Sequence, residues 1–349
     1  MGGSPGSLHR EARLMHICVL PRVHGAGGLV SFQAKLKTGL QGRGFQVGND
    51  PADHSCSAIL ITGGTSDLPS LLRARRRGVR IVQRLDGINW LHRRLHTGPR
   101  HFLRAEYGNR LLALLRSRVV TRVVYQSGFV RDWWSRQYGP ERVSSVVIHN
   151  GVDLSVYTPD GPGERPTGVF RMLLVEGNLQ GGYETGLETA QGLAGQLADK
   201  FPLELMVAGR VPARLQMASQ KKSRVPTLWA GLVPGTEVPT LARSAHFLYP
   251  ADLNAACPNS VIEALACGLP AAGFATGALP ELVTGDSGRL VPYGGDPWKL
   301  EKPDLPALAL AAAEILQNNA HFRKSARLRA EQAFGLDAML DRYLDVLLG

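Results

Sequence analysis

The sequence predicts a two-domain α/β protein, each half a parallel, Rossmann-like sheet covered by helices. Three observations carry this expectation. Strand and helix patterns alternate along the whole chain, as parallel βαβ units require. The 349 residues exceed the size at which a single hydrophobic core stops growing. Near the middle a stretch dense in Pro and Gly, 154–168, interrupts the alternation, which then restarts. We therefore divide the chain into a loose tail (1–13), a first Rossmann-like domain (14–153), a linker (154–168), a second Rossmann-like domain (169–333) and a closing helix (334–349).

The elements follow in order. The apolar run 15–21 is a first strand, the glycines 25–28 its turn, and 29–44 the helix that follows. Residues 57–64 form a strand, 68–78 a helix, and 79–87 a strand that ends at Asp86-Gly87. A long amphipathic helix covers 102–118. The strand 119–127 leads to Ser127, a hydroxyl placed to cap the helix 128–139, and 144–153 closes the half. After the linker come a strand at 169–177, a helix at 184–201 and a strand at 203–209. A short strand lies around 227–233, with a helix at 239–245 and a strand at 246–250. Ser260 and Glu263 have the spacing of a capping box, opening a helix whose apolar face is Val261, Ile262, Leu265 and Ala266. Gly268 and Pro270 end it. A strand at 269–274, an exit loop at Thr276–Ala278 and three C-terminal helices complete the chain. Helix N-termini near Ser260 and Pro280 are expected to lie together, offering unpaired N–H groups to a diphosphate.

Composition narrows the classes. With 44% hydrophobic and 20% charged residues this is an ordinary globule, and no apolar run reaches the ~18 residues of a membrane span. Residues 1–13 lack the hydrophobic segment of a signal peptide. Cysteines 18, 56, 257 and 267 form no CxxC pair, which favours reduced, buried thiols and a cytoplasmic setting over a disulfide frame or a zinc site. Charge is uneven. The stretch 73–142 holds 17 Arg, no Lys and four acids, a surplus of 13, whereas the whole chain is +11, so the remainder sums to −2. Such a surplus is either a solvated basic face or a surface for an anionic partner: a bilayer leaflet, a phosphate-bearing lipid acceptor or an acidic glycan. No nucleic-acid-binding module accompanies it, so no nucleic acid is expected.

Several residues stand where ligands collect. Gly27 and Gly28 close a turn between a strand and a helix, where backbone amides approach a phosphate. The turn is not GxGxxG, which argues against a dinucleotide. Asp86 follows a strand end and precedes Gly87, a position for a carboxylate that takes a proton or binds a hydroxyl; its alternative is a turn-forming Asp. Glu263 has the alternative of a purely structural cap.

The segment 250–283 resembles the donor-sugar signature of the family 4 (group 1) glycosyltransferases, retaining enzymes of the GT-B fold. Glu263 and the run ALACGLP match its second half, while Ala255 stands where a first acid belongs. QRLDGINW around Asp86 and HNGVD at 149–153 resemble the family as well. The resemblance implies two Rossmann-like domains around a cleft, a final helix returning to the first domain, and transfer of a hexose from a nucleoside diphosphate sugar to a glycan or lipid-linked hydroxyl acceptor. It implies no metal and no cofactor beyond that co-substrate. The donor side would comprise Gly27, Gly28, Gly177, Asn178, Asn259, Ser260, Glu263 (on the ribose), Thr276 and Gly277. Gly87, His149 and Asn150 would face the acceptor, with Asp86 as a catalytic residue. The Arg and Lys that meet the diphosphate in the family are missing near Asn178, and Arg210 is the nearest replacement in sequence. The expected setting is cytoplasmic, peripheral to the inner membrane face. A non-catalytic sugar-nucleotide binder of the same fold is the alternative that Ala255 and the missing cations motivate.

Overall fold

The structure, a computed structural model, describes residues 15–349 apart from Ala26, Gly181 and Tyr183. The tail predicted at 1–13 lies outside the described residues.

The first sheet contains β1 (His16–Leu20), β2 (Gln46–Gly48), β3 (Cys56–Ile61), β4 (Arg80–Leu85), β5 (Arg122–Tyr125) and β6 (Ser144–Val147), in the order β2-β1-β3-β4-β5-β6. Between them run α1 (Gly28–Gly42), α2 (Leu68–Arg76), α3 (Pro99–Leu114) and α4 (Gly128–Tyr138). Ser127 caps α4 as its position predicts, accepting from the Val130 amide at 3.2 Å. The second sheet contains β7 (Phe170–Asn178), β8 (Leu203–Arg210), β9 (Thr227–Gly231), β10 (Phe247–Leu248), β11 (Ala271–Phe274) and β12 (Gly288–Val291), ordered β12-β11-β10-β7-β8-β9. Its helices are α5 (Glu184–Leu197), α6 (Ala213–Lys222), α7 (Val238–Arg243), α8 (Asn259–Ala266), α9 (Leu279–Leu282), α10 (Leu305–Gln317) and α11 (Asn319–Ala333). Every pairing in both sheets is parallel.

The chain closes on itself through α12 (Leu336–Leu348). Met339, Leu340, Tyr343 and Leu347 join the core formed by Ile17, Val19, Phe32, Leu36 and Leu40 of the first domain. A Cβ at Gly39 would fall 2.3 Å from a Leu340 methyl, so only glycine lets α1 and α12 approach this closely. At the crossing the Val152 amide donates to the Phe334 carbonyl (2.8 Å) and the Leu336 amide to the Val152 carbonyl (3.0 Å). The end of the first domain and the return strap are thereby stitched together.

The structure differs from the sequence reading at four places, three of them elements that the sequence reading did not include. β2, α6 and β12 carry no strong pattern: β2 is a three-residue edge strand, α6 (ARLQMASQKK) has few apolar residues, and β12 is four residues behind a turn. The fourth concerns the thiols. Cys18 and Cys56 are joined as a disulfide with Cα atoms 6.2 Å apart, while Cys257 and Cys267 are free and buried. A separation of 38 residues gives no sequence cue to that pair; adjacency of β1 and β3 creates it.

Candidate functional site

Parallel sheets collect ligands at the carboxyl ends of their strands, and here both sheets turn those ends toward a shared cleft. A cavity of about 450 Å³ fills it. The first domain supplies Gly27, Gly28, Arg84, Asp86, Gln126 and Asn150; the second supplies Glu176, Gly177, Asp252, Asn259, Ser260 and Glu263. Eight residues singled out in the sequence therefore meet in one place: Gly27, Gly28, Asp86, Asn150, Gly177, Asn259, Ser260 and Glu263.

Two helix N-termini face each other across this cavity, but they are not the pair anticipated. The start of α1 opposes the start of α8, with a Cβ at Gly28 lying only 3.7 Å from Asn259 Nδ2. The helix after Pro280, α9, is four residues long. Its leading Gly277, at φ +58°, packs against the Ala255 backbone, where a Cβ would sit 2.6 Å from the amide nitrogen. The Ala278 amide also donates to the Ala255 carbonyl at 2.9 Å. Thr276 is buried in the wall of a separate, smaller cavity of about 260 Å³. The Thr276–Gly277 loop thus shapes the α8 approach from behind and does not line the cleft cavity.

The capping-box expectation for Glu263 is also corrected. Ser260 lies inside α8, Pro258 is the N-cap residue, and no side chain caps the helix. Pro258 cannot donate the amide that a capping Glu would reach. Glu263 Oε1 instead accepts from Lys35 Nζ of α1 at 3.0 Å, and the same ammonium donates to the Gly151 carbonyl at 3.4 Å. The carboxylate is thus held in the cleft by a cation from the opposite domain.

On the first-domain wall, Arg84 is only 2% exposed and lies over the Phe32 ring, 3.8 Å from its centroid. It donates to Asp86 Oδ1 at 2.5 Å and to Asn150 Oδ1 at 2.9 Å. Gln126 Nε2 donates to the same Asp86 oxygen, and Asn150 Nδ2 returns a bond to Gln126 Oε1 at 3.2 Å. Asn150 also donates to the Cys257 carbonyl across the domain boundary at 2.9 Å. Loss of water around Asp86 raises its carboxyl above the usual range, with Arg84 opposing, although its outer edge stays 42% exposed to the cleft. Sequence reading missed Arg84 and Gln126. The signal for Arg84 was present: a strand places residues two apart on one face, so RLD sets a guanidinium beside the carboxylate.

The second-domain wall differs. Glu176 ends β7 and Asp252 follows β10, its neighbour in the sheet. Burial raises both carboxyls well above their ordinary values, and the charge of Asp252 pushes Glu176 further. No ion pair or side-chain hydrogen bond reaches either among the described residues. Neither was anticipated, because two acids 76 positions apart give no local motif.

The remaining anticipated residues lie elsewhere. Arg210 is exposed at the end of β8, pairs in register with Asn178, and does not line the cavity. Asn178 is exposed too and accepts from Gln180 at 3.2 Å. Gly87 lets the chain pass Trp133, whose ring would meet a Cβ at 2.9 Å. His149 Nε2 lies 3.2 Å from Glu281 Oε2. That carboxylate also accepts the Gly128 and Phe129 amides at 2.8 and 2.7 Å, sealing the α4 N-terminus from the other domain. Burial works to raise the Glu281 carboxyl, but His149 and the two amides outweigh it and hold the group below its usual value. His149 is therefore part of a clamp between domains and not of the cavity wall.

Two such sheets around one cleft, closed by a C-terminal helix on the first domain, make the GT-B fold of glycosyltransferases. Residues 171–318, most of the second domain, match the family described as glycosyl transferases group 1. Solved structures agree over almost the full chain. Sucrose-phosphate synthase from Thermosynechococcus elongatus is 16% identical with a TM-score of 0.70, covering 95% of this chain and 98% of that one. HepE of Anabaena, solved with UDP and glucose, is 16% identical with a TM-score of 0.66 over 95% and 99%. WaaG, a glycosyltransferase involved in lipopolysaccharide biosynthesis, is 14% identical with a TM-score of 0.67 over 96% and 100%. No curated protein matches the chain in sequence at a significant level.

Proposed function

We propose that this chain is a retaining glycosyltransferase of family 4 that moves a hexose from a nucleoside diphosphate sugar to a hydroxyl acceptor. One observation carries the reading: the N-termini of α1 and α8 meet across a cavity that also holds Glu263, on the domain of the group 1 family. Unpaired amides and positive dipole ends from both sides suit a diphosphate. Glu263, braced by Lys35 through Oε1, lines the cavity and presents its carboxylate to the ribose hydroxyls. Asp86 faces the acceptor side and orients the incoming hydroxyl. The acceptor oxygen bonds to the anomeric carbon as the bond to the diphosphate breaks, and the acceptor proton passes to the leaving phosphate. Backbone amides stabilise that charge with no metal required. Glu176 and Asp252 lie where a sugar hydroxyl needs acceptors, taking over from the acid replaced by Ala255.

The HepE structure with UDP and glucose supports UDP-glucose as the first donor to try. A mass-spectrometric screen of nucleotide sugars, with isothermal titration of UDP, GDP and ADP, tests the reading. Absence of binding to every nucleoside diphosphate overturns it. Tight binding without transfer or donor hydrolysis selects the second reading, a non-catalytic binder. Two observations favour that reading: Ala255 replaces the first acid, and among the described lining residues the one Lys or Arg, Arg84, is committed to Asp86 and Asn150.

We also propose a glycan or lipid-linked acceptor in cell-surface polysaccharide or glycolipid synthesis, reached from the inner face of an anionic membrane. No described helix is long and apolar enough to cross one. The support is α3, whose exposed Leu103 and Tyr107 sit beside exposed Arg100, Arg104 and Arg110. Binding to anionic vesicles at low salt, falling steeply as salt rises, is the expected outcome; equal binding to neutral vesicles speaks against it.

A further inference from the structure

The edge of the first sheet opposite the cleft carries a second cluster. His16 and Cys18 stand two residues apart on β1, so their side chains leave the same face. Cys56 opens β3, the strand paired with β1. One donor atom from each of the three lies within 4.8 Å of the other two. Both cysteines are buried, and each sulfur contacts the Asp50 carbonyl, at 3.3 Å from Cys18 and 3.6 Å from Cys56. The imidazole is oriented at Nδ1 by Ser55 Oγ at 2.7 Å and Asp53 Oδ2 at 3.3 Å. Carboxylate and hydroxyl partners of this kind commonly fix a metal-bound histidine.

A disulfide uses two of these three donors and leaves the imidazole outside the bond. Two thiolates and one neutral imidazole are a soft nitrogen–sulfur set that suits tetrahedral zinc with one position left to water. Two thiolate charges also cancel those of a divalent cation, so the buried cluster has no net charge to desolvate. We propose that His16, Cys18 and Cys56 form a binding site for a zinc-class divalent cation when the two cysteines are reduced. The cation then clamps β1 to β3 in place of the disulfide. The exchange balances. A thiol reductant supplies two electrons and two protons to the Cys18–Cys56 bond and itself becomes a disulfide. Cation binding then releases the two thiol protons to water. The cluster sits at the opposite strand ends from the cleft, so the proposal stands independently of the glycosyl-transfer reading.

The test uses the full chain purified with a thiol reductant, then equilibrated with cobalt(II) as a spectroscopic probe for zinc. About one cobalt per chain with thiolate-to-cobalt charge-transfer bands in the near ultraviolet is expected. A disulfide-forming oxidant should bleach the bands and expel the ion, and zinc should displace it. Cys56→Ser should abolish the bands. His16→Gln, at a less buried position, should weaken cobalt affinity at least ~10-fold while circular dichroism and thermal melting show a folded chain. A reduced, folded wild type that takes up less than about a tenth of an equivalent of cobalt overturns the proposal. So does His16→Gln binding cobalt as tightly as wild type.

Discussion

The two walls of the cleft treat charge in opposite ways. On the first-domain wall Asp86 has Arg84, Gln126 and an open edge, so each charge is matched where it lies. On the second-domain wall Glu176 and Asp252 are half-buried beside each other, and among the described residues no cation pairs with either. The difference teaches which wall is complete without a ligand. A buried ion pair with further hydrogen bonds is a rigid, self-sufficient surface. Two half-buried carboxyls without side-chain partners favour their protonated forms, and functional sites are where such perturbed groups gather.

The strongest way to break this contrast is Arg84→Gln. It strands Asp86 and removes the brace on Asn150, and should destabilise the fold by about 2–3 kcal/mol in urea titration. The figure lies below that for a fully buried broken pair because Asp86 is partly open. No change in midpoint would mean that the first wall owes its order to Gln126 and to the Trp134 indole, which donates to the Asp86 carbonyl at 2.8 Å. Next, Glu263→Ala should weaken nucleoside diphosphate binding by ~1–3 kcal/mol in titration calorimetry. Unchanged affinity would leave Glu263 as a tether for Lys35 alone.

Glu176→Gln tests the second wall through pH. A carboxyl whose folded value is raised binds its proton more tightly folded than unfolded. Its favourable contribution is present below the ordinary carboxylate range and is lost as pH rises through the raised value. The variant should therefore melt higher than wild type near pH 8, by at least about 1 kcal/mol, and match it near pH 4. Diphosphate affinity of the wild type should increase as pH falls from ~8 to ~6, because the pair then loses negative charge. A flat profile would show that neither acid faces the ligand. The smallest effect belongs to Arg210→Ala. An exposed residue outside the cavity should alter nucleotide affinity and stability by no more than ~0.5 kcal/mol. A large loss of turnover would instead place Arg210 at the diphosphate in a more closed arrangement of the domains.

Much of the cleft was legible because parallel α/β chains obey local rules. Strand ends and the helix starts that follow them are marked by Gly, Pro and capping residues, which put Gly28, Asp86, Asn150, Ser260 and Glu263 at the cleft. The errors share one origin. The capping spacing of Ser260 and Glu263 predicted a local bond, but Pro258 shifted the helix start and a lysine 228 residues away took the carboxylate. His149 and Arg210 sat in plausible sequence positions, yet Glu281 from the other domain drew one into a clamp and the end of β8 left the other in solvent.

By itself the sequence determined the alternation of strands and helices, the division into two halves, the Arg-rich first half and the half-matched motif around Glu263. These depend on period, composition and short spacing, all of which act within a few residues. Only the tertiary structure decided that α1 opposes α8, that Glu176 and Asp252 share one wall, and that His16, Cys18 and Cys56 converge. Each of those contacts joins residues tens to hundreds of positions apart, and only the packing of two sheets and a returning helix brings them together.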